Sequence, residues 1–300
     1  MAPIAVFTYC RPDHTRRTIE SLLRNALARE SDLIVYSDAA RTSEKRTAVA
    51  EVRDYLATIT GFRSLTIRER QENFGLANSI IRGVTDVLEQ SDRVIVLEDD
   101  MVTSPHFLTY MNQALDRYAD DDRVASIHGY VYPVKQALPE AFFLPGADCW
   151  GWATWRHGWK LFNPDGQALL DQLIQRQLVD AFDFNGAYPY TRMLRKQIDG
   201  ANDSWAIRWY ASAFLAGKLT LYPGRSLVHN IGIDNSGTHC GISTVHDVAL
   251  SATPIDLDKV EVAQCREASA AFEAFFVEAR SRAPNKVLGY ARQFLAKVFA

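Results

Sequence analysis

The first hundred residues alternate between short apolar runs and segments of helical periodicity, and this alternation restricts the fold more than any other feature. Four apolar runs each end in polar residues: IAVFTYC, DLIVYSDAA, SLTIRER and DRVIVLEDD. The segments between them carry apolar residues at helical spacing, for example Leu76, Ile80, Val84 and Leu88. Strands that alternate with helices form βαβ units, in which parallel strands are covered by helices on both faces. We therefore predict an α/β fold with a central, mostly parallel sheet flanked by helices.

The second half of the chain follows this alternation less regularly. Ser104 and Pro105 indicate the start of another helix, because serine caps helix N-termini and proline suits the first turn. RVASIHGYVY then has the composition of a further strand. The sequence shows no internal repeat and no low-complexity linker. We predict one continuous domain, with a weak boundary near Pro133.

The composition describes a globular protein that has no strong attraction for polyanions. The net charge of −3 does not favour nucleic acid, so we expect no nucleic-acid partner. The four cysteines form no CxxC pair, which indicates neither a zinc site nor a disulfide framework and fits a reducing cytosol. The segment MAPIAVFTYC lacks the features of a signal peptide, and no run of about 18 apolar residues exists. We expect a cytoplasmic protein.

The last segment of the sequence, NKVLGYARQFLAKVFA, is amphipathic. Apolar residues such as Val287 and Phe294 recur at helical spacing opposite Lys286 and Lys297. Two interpretations remain open. The segment is either a terminal helix packed on the protein or an interfacial helix that rests on the anionic inner face of a membrane.

Three acids stand side by side after the fourth apolar run: Glu98, Asp99 and Asp100. Adjacent carboxylates are costly to bury, so they need either water or a cation. The carboxyl ends of parallel strands meet at one edge of a sheet, where ligands bind in open α/β folds. Mg²⁺ or Mn²⁺, bound together with a phosphorylated ligand, would neutralise the acids at this edge. The alternative is a solvated acidic turn.

The segment RERQENFGLANSI is a second candidate for ligand binding. Gly75 allows the backbone to approach a ligand, and the helix that follows would favour an anion at its N-terminus. Arg70 supplies positive charge nearby, and Asn73 is either a ligand contact or simply the cap of the helix. The sequence contains neither GxxxxGK[ST] nor a GxGxxG after the first strand, so it indicates no P-loop and no dinucleotide site.

Asp203 and His229 each have two interpretations. Asp203 precedes the aromatic segment SWAIRWYASAFLAG, where it is either a general base or the N-cap of a helix. His229 and His239 lie in RSLVHNIGIDNSGTHC, which we predict to be a loop. A histidine there is either solvated or folds back onto a divalent cation.

A cluster of tryptophans occupies ten residues of the second half. Trp150, Trp152, Trp155 and Trp159 are interrupted by Gly151 and by charged residues. Indoles are commonest in cores, but their flat faces also stack on sugar rings. The interruptions favour a shaped loop over a regular core element.

Together these segments resemble the nucleotide-sugar glycosyltransferases of the GT-A fold. The resemblance covers roughly residues 4–240 and rests on VFTYCRPDHTRRTIESLL, YSDAA, NFGLANSI, VLEDDMVTSPHFL, GWATWRHGW and NDSWAIRW. The first and fourth segments are similar to family 2 members. From EDDMVTSPHFLTYM onward the chain is closer to the N-acetylglucosaminyltransferase I type. The resemblance implies a GT-A (Rossmann-like) fold.

The resemblance also implies roles for individual residues. Asp100 would bind Mn²⁺ or Mg²⁺, Asp203 would be the catalytic base, and His229 would contact the metal or the diphosphate. Asp203 follows Asn202 where many family 2 members have a glutamate. The expected nucleotide- and donor-binding residues are Thr8, Tyr9, Arg11, Asp38, Arg70, Asn73, Gly75 and Asp99. The expected loop over donor and acceptor contains Trp150, Gly151, Trp152 and Trp155.

The reaction that the resemblance implies moves a sugar, with inversion, from a nucleoside diphosphate sugar to an acceptor hydroxyl, as in polysaccharide biosynthesis. The implied donor is a uridine diphosphate sugar, and the acceptor is a glycan, a lipid-linked sugar or a protein. Residues 1–132 would bind the donor, residues 133–265 would form the acceptor and catalytic half, and residues 266–300 would form C-terminal helices. Two alternatives remain: a sugar nucleotidyltransferase, and a non-catalytic sugar- or nucleotide-binding protein of the same fold.

Overall fold

The computed structural model describes residues 1–235 and 243–282. The strands are β1 (Ile4–Thr8), β2 (Asp32–Ser37), β3 (Ser64–Glu69), β4 (Arg93–Glu98), β5 (Met101–Thr103), β6 (Val124–His128), β7 (Ala141–Pro145), β8 (Trp152–Trp155), β9 (Leu219–Pro223) and β10 (Val228–Asn230). The α-helices are α1 (Pro12–Leu23), α2 (Arg46–Ala57), α3 (Gly75–Gln90), α4 (Phe107–Arg117), α5 (Arg156–Trp159), α6 (Gly166–Gln175), α7 (Val179–Phe182), α8 (Tyr190–Ile198), α9 (Trp205–Leu215) and α10 (Arg266–Arg282). Short 3₁₀ helices span Ala26–Glu30 and Ser43–Lys45.

Eight strands form the central sheet, in the order β3-β2-β1-β4-β8-β6-β9-β7. The first four run parallel to one another, and β6 is parallel to β9. Strand β8 is antiparallel to both of its neighbours, and β7 is antiparallel to β9. The predicted α/β fold with a mostly parallel sheet is therefore confirmed. The sheet is continuous from the N-terminal to the C-terminal half of the chain.

The predicted βαβ alternation explains how the N-terminal half is packed. Strand β1 is buried along its whole length, and β4 is buried from Val94 to Leu97, because helices cover both faces of the sheet. Helix α3 turns Ile80, Val84 and Leu88 towards the sheet, as their spacing predicts, whereas Leu76 in its first turn is exposed. Helix α4 begins at Phe107, two residues after the predicted start.

The tryptophan segment corrects the sequence interpretation. Trp152 to Trp155 form β8 in the middle of the sheet, and Trp150, Trp152 and Trp155 are all buried. The prediction of a loop is therefore wrong for Trp152 and Trp155. Trp150 and Gly151 lie immediately before the strand. Because β8 is antiparallel to β4, its first residue lies opposite Val96, close to the carboxyl end of β4.

A small ribbon closes over the end of β4. Directly after the acids, β5 pairs with β10 in an antiparallel two-stranded sheet. The pairing continues past the strands, because the Ile231 N–H donates to the Asp100 carbonyl oxygen at 2.9 Å. The ribbon therefore brings residues more than 120 positions apart to the edge where the parallel strands end, which we call the crevice edge.

Helix α10 packs on the C-terminal half of the sheet. Phe272 and Phe276 are buried against Tyr132, and Phe272 also contacts Phe142 edge-to-face. None of the helices within residues 1–235 and 243–282 has the length and apolar composition that crossing a membrane needs. The predicted amphipathic helix at Lys286–Lys297 and His239 lie outside the described residues.

Candidate functional site

The acids after β4 meet a cation from the turn after β1. Asp99 and Asp100 are only 4% and 7% exposed, so their charges need a partner. The Arg11 guanidinium supplies it, because its Nη2 atom contacts Asp99 Oδ1 and also lies 2.8 Å from Asp100 Oδ2. Since β1 pairs with β4, the two strands deliver these groups to the same point of the crevice edge. The predicted convergence of strand ends is thus observed here.

One arginine does not balance three acids. Burial raises the pKa of Glu98 to about 8, with Asp100 and Asp99 adding to the effect against the opposing charge of Arg11. Burial likewise raises the pKa of Asp99, although Arg11 opposes this shift. For Arg11, burial alone would lower the pKa, but the charges of Asp100 and Asp99 raise it, so the guanidinium stays charged. Without a further cation, the crevice edge therefore retains excess negative charge or protons.

Asp100 has a partner for its main-chain carbonyl oxygen and for one of its two carboxylate oxygens. Arg11 occupies Oδ2, and Ile231 binds the main-chain carbonyl oxygen. A Cβ atom at Gly232 would overlap with Oδ2 and lie 2.9 Å from the Arg11 Nη1 atom, so only glycine fits there. The other oxygen, Oδ1, is buried, and no described residue offers it a hydrogen bond. A buried carboxylate oxygen with no partner fits a hard divalent cation.

The other protein ligands of such a cation would be few. Within residues 1–235 and 243–282, no group of three His, Cys, Asp or Glu side chains is arranged to hold a metal ion. Mg²⁺ and Mn²⁺ are commonly bound by one or two carboxylates, with water and substrate phosphate completing the shell, and Asp100 Oδ1 is such a carboxylate oxygen. The residues present therefore fit the group that the resemblance implies.

His229 lies in strand β10, where a loop was predicted. It pairs with Val102, and Ile231, two residues further on, bonds to the main chain of Asp100. Its Nδ1 atom lies 3.1 Å from the Val248 carbonyl oxygen, which fixes the ring. A different histidine, His14, approaches the turn after β10, with Nε2 3.2 Å from both the Ile231 carbonyl oxygen and Asp234 Oδ2.

Asp38, at the end of β2, is bound to the start of α3. Its Oδ1 accepts hydrogen bonds from the N–H groups of Ala39 and Phe74, both at 2.9 Å. Its Oδ2 accepts from Gly75 N–H at 3.0 Å and from the Asn73 side-chain amide at 2.9 Å. This carboxylate therefore satisfies the unpaired N–H groups of the helix N-terminus, as an N-cap side chain does.

Asn73 is not the cap of α3, as one interpretation of the sequence had it. The residue before the helix is Phe74, and no side chain at that position makes a cap hydrogen bond. Asn73 instead bridges Asp38 Oδ2 and the Ala39 carbonyl oxygen, at 2.9 and 2.7 Å. Gly75 has φ of +72° and nothing within 4 Å of an added Cβ, so the conformation is what favours glycine there.

Thr8 and Tyr9 also lie at the crevice edge. Thr8 is the last residue of β1 and is buried, with its hydroxyl 3.5 Å from the Tyr36 carbonyl oxygen. The Tyr9 hydroxyl accepts a hydrogen bond from Arg41 N–H at 3.0 Å, which ties the turn after β1 to the loop after β2. Both predicted residues thus occupy the region between Asp38 and the acids.

Arg70 does not join the groups around the acids. Its guanidinium lies 5.3 Å from the Tyr36 ring centroid and 4.7 Å from that of Phe74. Arg82 covers Phe74 at 4.5 Å, and Tyr36 stacks on Phe7 with centroids 5.0 Å apart. This aromatic–arginine column packs under α3. Its Nε and Nη2 atoms are buried with no hydrogen-bond partner among the described residues, and Asp86 Oδ2 lies 3.9 Å from Nη2, so the donor contact of Arg70 stays a prediction.

Asp203 lies beside the N-terminus of α9 and is open to solvent. The N-cap is Ser204, whose hydroxyl accepts from Ile207 N–H at 3.2 Å, so the capping interpretation of Asp203 is wrong. The Asp203 side chain is 67% exposed, 3.5 Å from Arg208. Trp205, two residues on, stacks on Trp152 at the crevice-edge end of β8, with centroids 5.4 Å apart. This contact places the start of α9 near that edge.

Asp148, which precedes Cys149 in the segment leading to β8, is a buried acid that no sequence motif indicated. Tyr222 donates its hydroxyl to Asp148 Oδ2 at 2.8 Å, while no described residue bonds to the buried Oδ1. Burial raises the pKa of Asp148 to about 6, against the opposing hydrogen bond from Tyr222. The signal in the sequence was a lone acid within the apolar run FFLPGADCWGW.

The segment that carries Asp148 runs beside the acids. Burial raises the pKa of the Cys149 thiol, and the charges of Glu98, Asp148 and Asp100 raise it further. The Trp150 N–H donates to His128 Nε2 at 3.0 Å, at the end of β6. Burial lowers the pKa of His128 to about 3, so this imidazole is neutral. The polar groups of the second half therefore reach the crevice edge from the side opposite Asp38.

Comparison with known proteins identifies the family. The model of "Glycosyl transferase family 2" matches residues 4–188, which include β1 to β8 and the acids. The chain belongs to glycosyltransferase family 2. The similarity to the N-acetylglucosaminyltransferase I type is not shown, and a search of curated proteins found no match for this chain.

Solved structures similar to this family 2 chain include TarS of S. aureus, at 14% identity and a TM-score of 0.35 over 52% of this chain and 28% of that one. TarS 1–349 matches at 12% identity and a TM-score of 0.40, over 76% of this chain and 60% of that one. The mannosyltransferase PcManGT of Pyrobaculum calidifontis, solved with GDP-Man and Mn²⁺, matches at 16% identity and a TM-score of 0.31, over 44% and 36%. The family 2 chain thus spans less than two thirds of each of these chains.

Proposed function

We propose that this family 2 glycosyltransferase transfers a sugar from a uridine diphosphate sugar to an acceptor hydroxyl, with Mn²⁺ or Mg²⁺ bound at Asp100. The observation that carries the proposal is the buried Asp100 Oδ1 atom, which has no described hydrogen-bond partner at an edge crowded with acids. The bound divalent cation would stabilise the negative charge that develops on the leaving diphosphate. The choice of uridine rests on the resemblance of the sequence.

The proposed binding residues surround the acids. Thr8 and Tyr9, at the end of β1, would line the nucleotide, and Asp99 would contact the ribose or the sugar. Asp38 would support this site through the turn that contains Asn73 and Gly75, because its carboxylate is already bonded to the start of α3. The Arg70 guanidinium already contacts the rings of Tyr36 and Phe74, so the proposal assigns it no direct contact with the donor.

Asp203 is the proposed catalytic base. Its carboxylate is exposed beside the N-terminus of α9, where an acceptor hydroxyl can reach it, and Arg208 holds it at 3.5 Å. Asp203 would take the proton of that hydroxyl as the oxygen attacks the anomeric carbon. Attack from the face opposite the diphosphate inverts the anomeric centre. Trp150 and Gly151, at the entrance to β8, would form one wall of the space for donor and acceptor.

The experiment compares turnover by the wild type with that by Asp203→Asn. The enzyme is incubated with UDP- and GDP-sugars, Mn²⁺ and pooled glycan, lipid-linked and protein acceptors, and the released nucleoside diphosphate is measured. A base that transfers one proton contributes typically 100- to 10,000-fold, so Asp203→Asn should lower turnover by at least about a hundredfold without changing donor affinity. A decrease of less than about tenfold would contradict the role of Asp203.

The same assay tests the reaction class. A glycosyltransferase releases a nucleoside diphosphate from a sugar nucleotide. Consumption of a nucleoside triphosphate with release of pyrophosphate would instead indicate a sugar nucleotidyltransferase. Tight binding of the donor with no turnover under any acceptor would indicate a non-catalytic binding protein.

A further inference from the structure

The Arg11 side chain contacts two carboxylates, while its backbone is fixed in place. Its carbonyl oxygen accepts from both the Thr15 N–H and the Thr15 hydroxyl at 2.9 Å, within the first turn of α1. Pro12 follows directly, which fixes the backbone further. Only the long side chain is free to change position, and in this structure it ends between Asp99 and Asp100.

This position of Arg11 opposes a metal ion on the same carboxylate. Asp100 presents Oδ2 to Arg11, and its other oxygen, Oδ1, is the proposed metal ligand. A divalent cation on Oδ1 and the guanidinium on Oδ2 would be like charges a few Å apart in a buried site, where repulsion is poorly screened. While Arg11 remains on Asp100, the metal alone should therefore bind weakly.

A donor diphosphate offers the Arg11 guanidinium a better partner. Guanidinium groups bind phosphate oxygens through two parallel hydrogen bonds, and these are among the strongest hydrogen bonds in proteins. Arg11 also stands at the N-terminal end of α1, where the helix favours negative charge. The carboxylates that Arg11 leaves would then be free to bind the cation.

We propose that Arg11 pairs with Asp99 and Asp100 until the donor binds, and then moves to the diphosphate, so that metal binding and nucleotide binding are coupled through this one side chain. The inference rests on the proposed function, because it assumes a metal at Asp100 and a diphosphate beside it. Coupling between two sites is reciprocal: the nucleotide raises the affinity for the metal by the factor by which the metal raises the affinity for the nucleotide.

The test measures Mn²⁺ affinity by electron paramagnetic resonance of the free ion, in the absence and presence of UDP or GDP. The proteins compared are the wild type, Arg11→Gln, Arg11→Lys and the control Arg63→Gln, whose arginine pairs with Asp32 at an exposed position. Without nucleotide, Arg11→Gln should bind Mn²⁺ about fivefold or more tightly than the wild type. One nucleotide should raise the Mn²⁺ affinity of the wild type by about tenfold or more, and that of Arg11→Gln by a clearly smaller factor.

Each outcome has a distinct meaning. Unchanged or weaker Mn²⁺ binding by Arg11→Gln without nucleotide, together with normal coupling, would overturn the inference and leave the proposed function intact. If the folded wild type bound Mn²⁺ neither alone nor with UDP or GDP, the proposed function itself would fail. If Arg11→Gln did not fold, Arg11→Lys would decide the question: its ammonium is a point charge that cannot bridge both acids, so the same changes should appear in smaller size.

Discussion

The Asp38 carboxylate accepts a hydrogen bond at 3.0 Å from the backbone N–H of Gly75, 37 residues further along the chain. Through this bond, a residue that follows β2 caps the N-terminus of α3, although it is not part of that helix. Because Asp38 also bonds to Phe74 N–H and to the Asn73 side chain, it determines the conformation of the whole turn before α3. Asp38 is thus a structural element of the proposed nucleotide site.

Replacing Asp38 should lower the stability of the fold. In Asp38→Ala, the half-buried N–H groups of Phe74 and Gly75 lose their acceptor, and we expect the free energy of unfolding to fall by about 2 kcal/mol. Asp38→Asn keeps one carbonyl oxygen and should lose less. Urea unfolding followed by circular dichroism measures both variants. Unchanged stability with a loss of nucleotide binding would instead show that Asp38 acts only as a ligand contact.

Arg70 should affect stability and leave nucleotide affinity unchanged. Its guanidinium stacks between Tyr36 and Phe74, and the smaller ammonium group of lysine cannot reproduce that planar contact. We expect Arg70→Lys to lower the free energy of unfolding by about 1 kcal/mol. Calorimetric titration with nucleoside diphosphate should give the wild-type affinity. A tenfold loss of nucleotide affinity with an unchanged free energy of unfolding would indicate that Arg70 contacts the donor directly.

Gly232 should be required for the acid site, because a Cβ atom there would overlap with Asp100 Oδ2. Gly232→Ala must move either the carboxylate or the turn after β10, and we expect metal-dependent nucleotide binding to weaken by about tenfold. The double mutant Gly232→Ala with Asp100→Ala is the control, since the two changes act on one carboxylate and should not add. Additive losses in this cycle would show that Gly232 acts elsewhere.

The sequence predicted the elements that depend on residues close together in the chain, and it did not predict the contacts between residues far apart in the chain. The period of the apolar residues depends on near neighbours, so it predicted β1 to β4 and the helices between them, and with them the edge where Arg11 meets Asp100. The bonds from Asp38 to α3 span 36 and 37 residues, and no local pattern distinguishes them from a ligand contact.

The tryptophan segment was misread for a related reason. A four-residue strand buried on both faces has no alternation of polar and apolar residues, and the glycine and charges beside it are typical of loops. Its place between β4 and β6 is determined by pairing with strands far away in sequence. The same holds for His229, which becomes a strand residue only by pairing with Val102.

Asp148 should make stability depend on pH. Its pKa is raised from 3.8 to about 6 in the folded protein, so the folded state binds more protons than the unfolded state between these values. Stability contributed by the protonated form is therefore lost as pH rises from about 4 to about 6, on the order of 2 kcal/mol. Asp148→Asn, which cannot ionise, should not show this loss.

The measurement is the difference in free energy of unfolding between wild type and Asp148→Asn from pH 4 to pH 7. Buried His128 and His246, whose pKa values are lowered to about 3 and about 4, contribute the opposite slope, but equally in both proteins. The wild type should lose stability relative to Asp148→Asn up to about pH 6 and then remain constant. A difference independent of pH would show that Asp148 is ionised throughout.

The central claim is that Asp100 binds a divalent cation that is needed for donor binding. The most direct test is calorimetric titration of the wild type and Asp100→Ala with UDP, GDP and their sugars, each with Mn²⁺ and with chelator. We predict that the wild type binds one nucleotide only with Mn²⁺, and that Asp100→Ala, although folded, loses this binding by at least about a hundredfold. Equal binding in chelator, or metal-dependent binding unchanged in Asp100→Ala, would contradict the account.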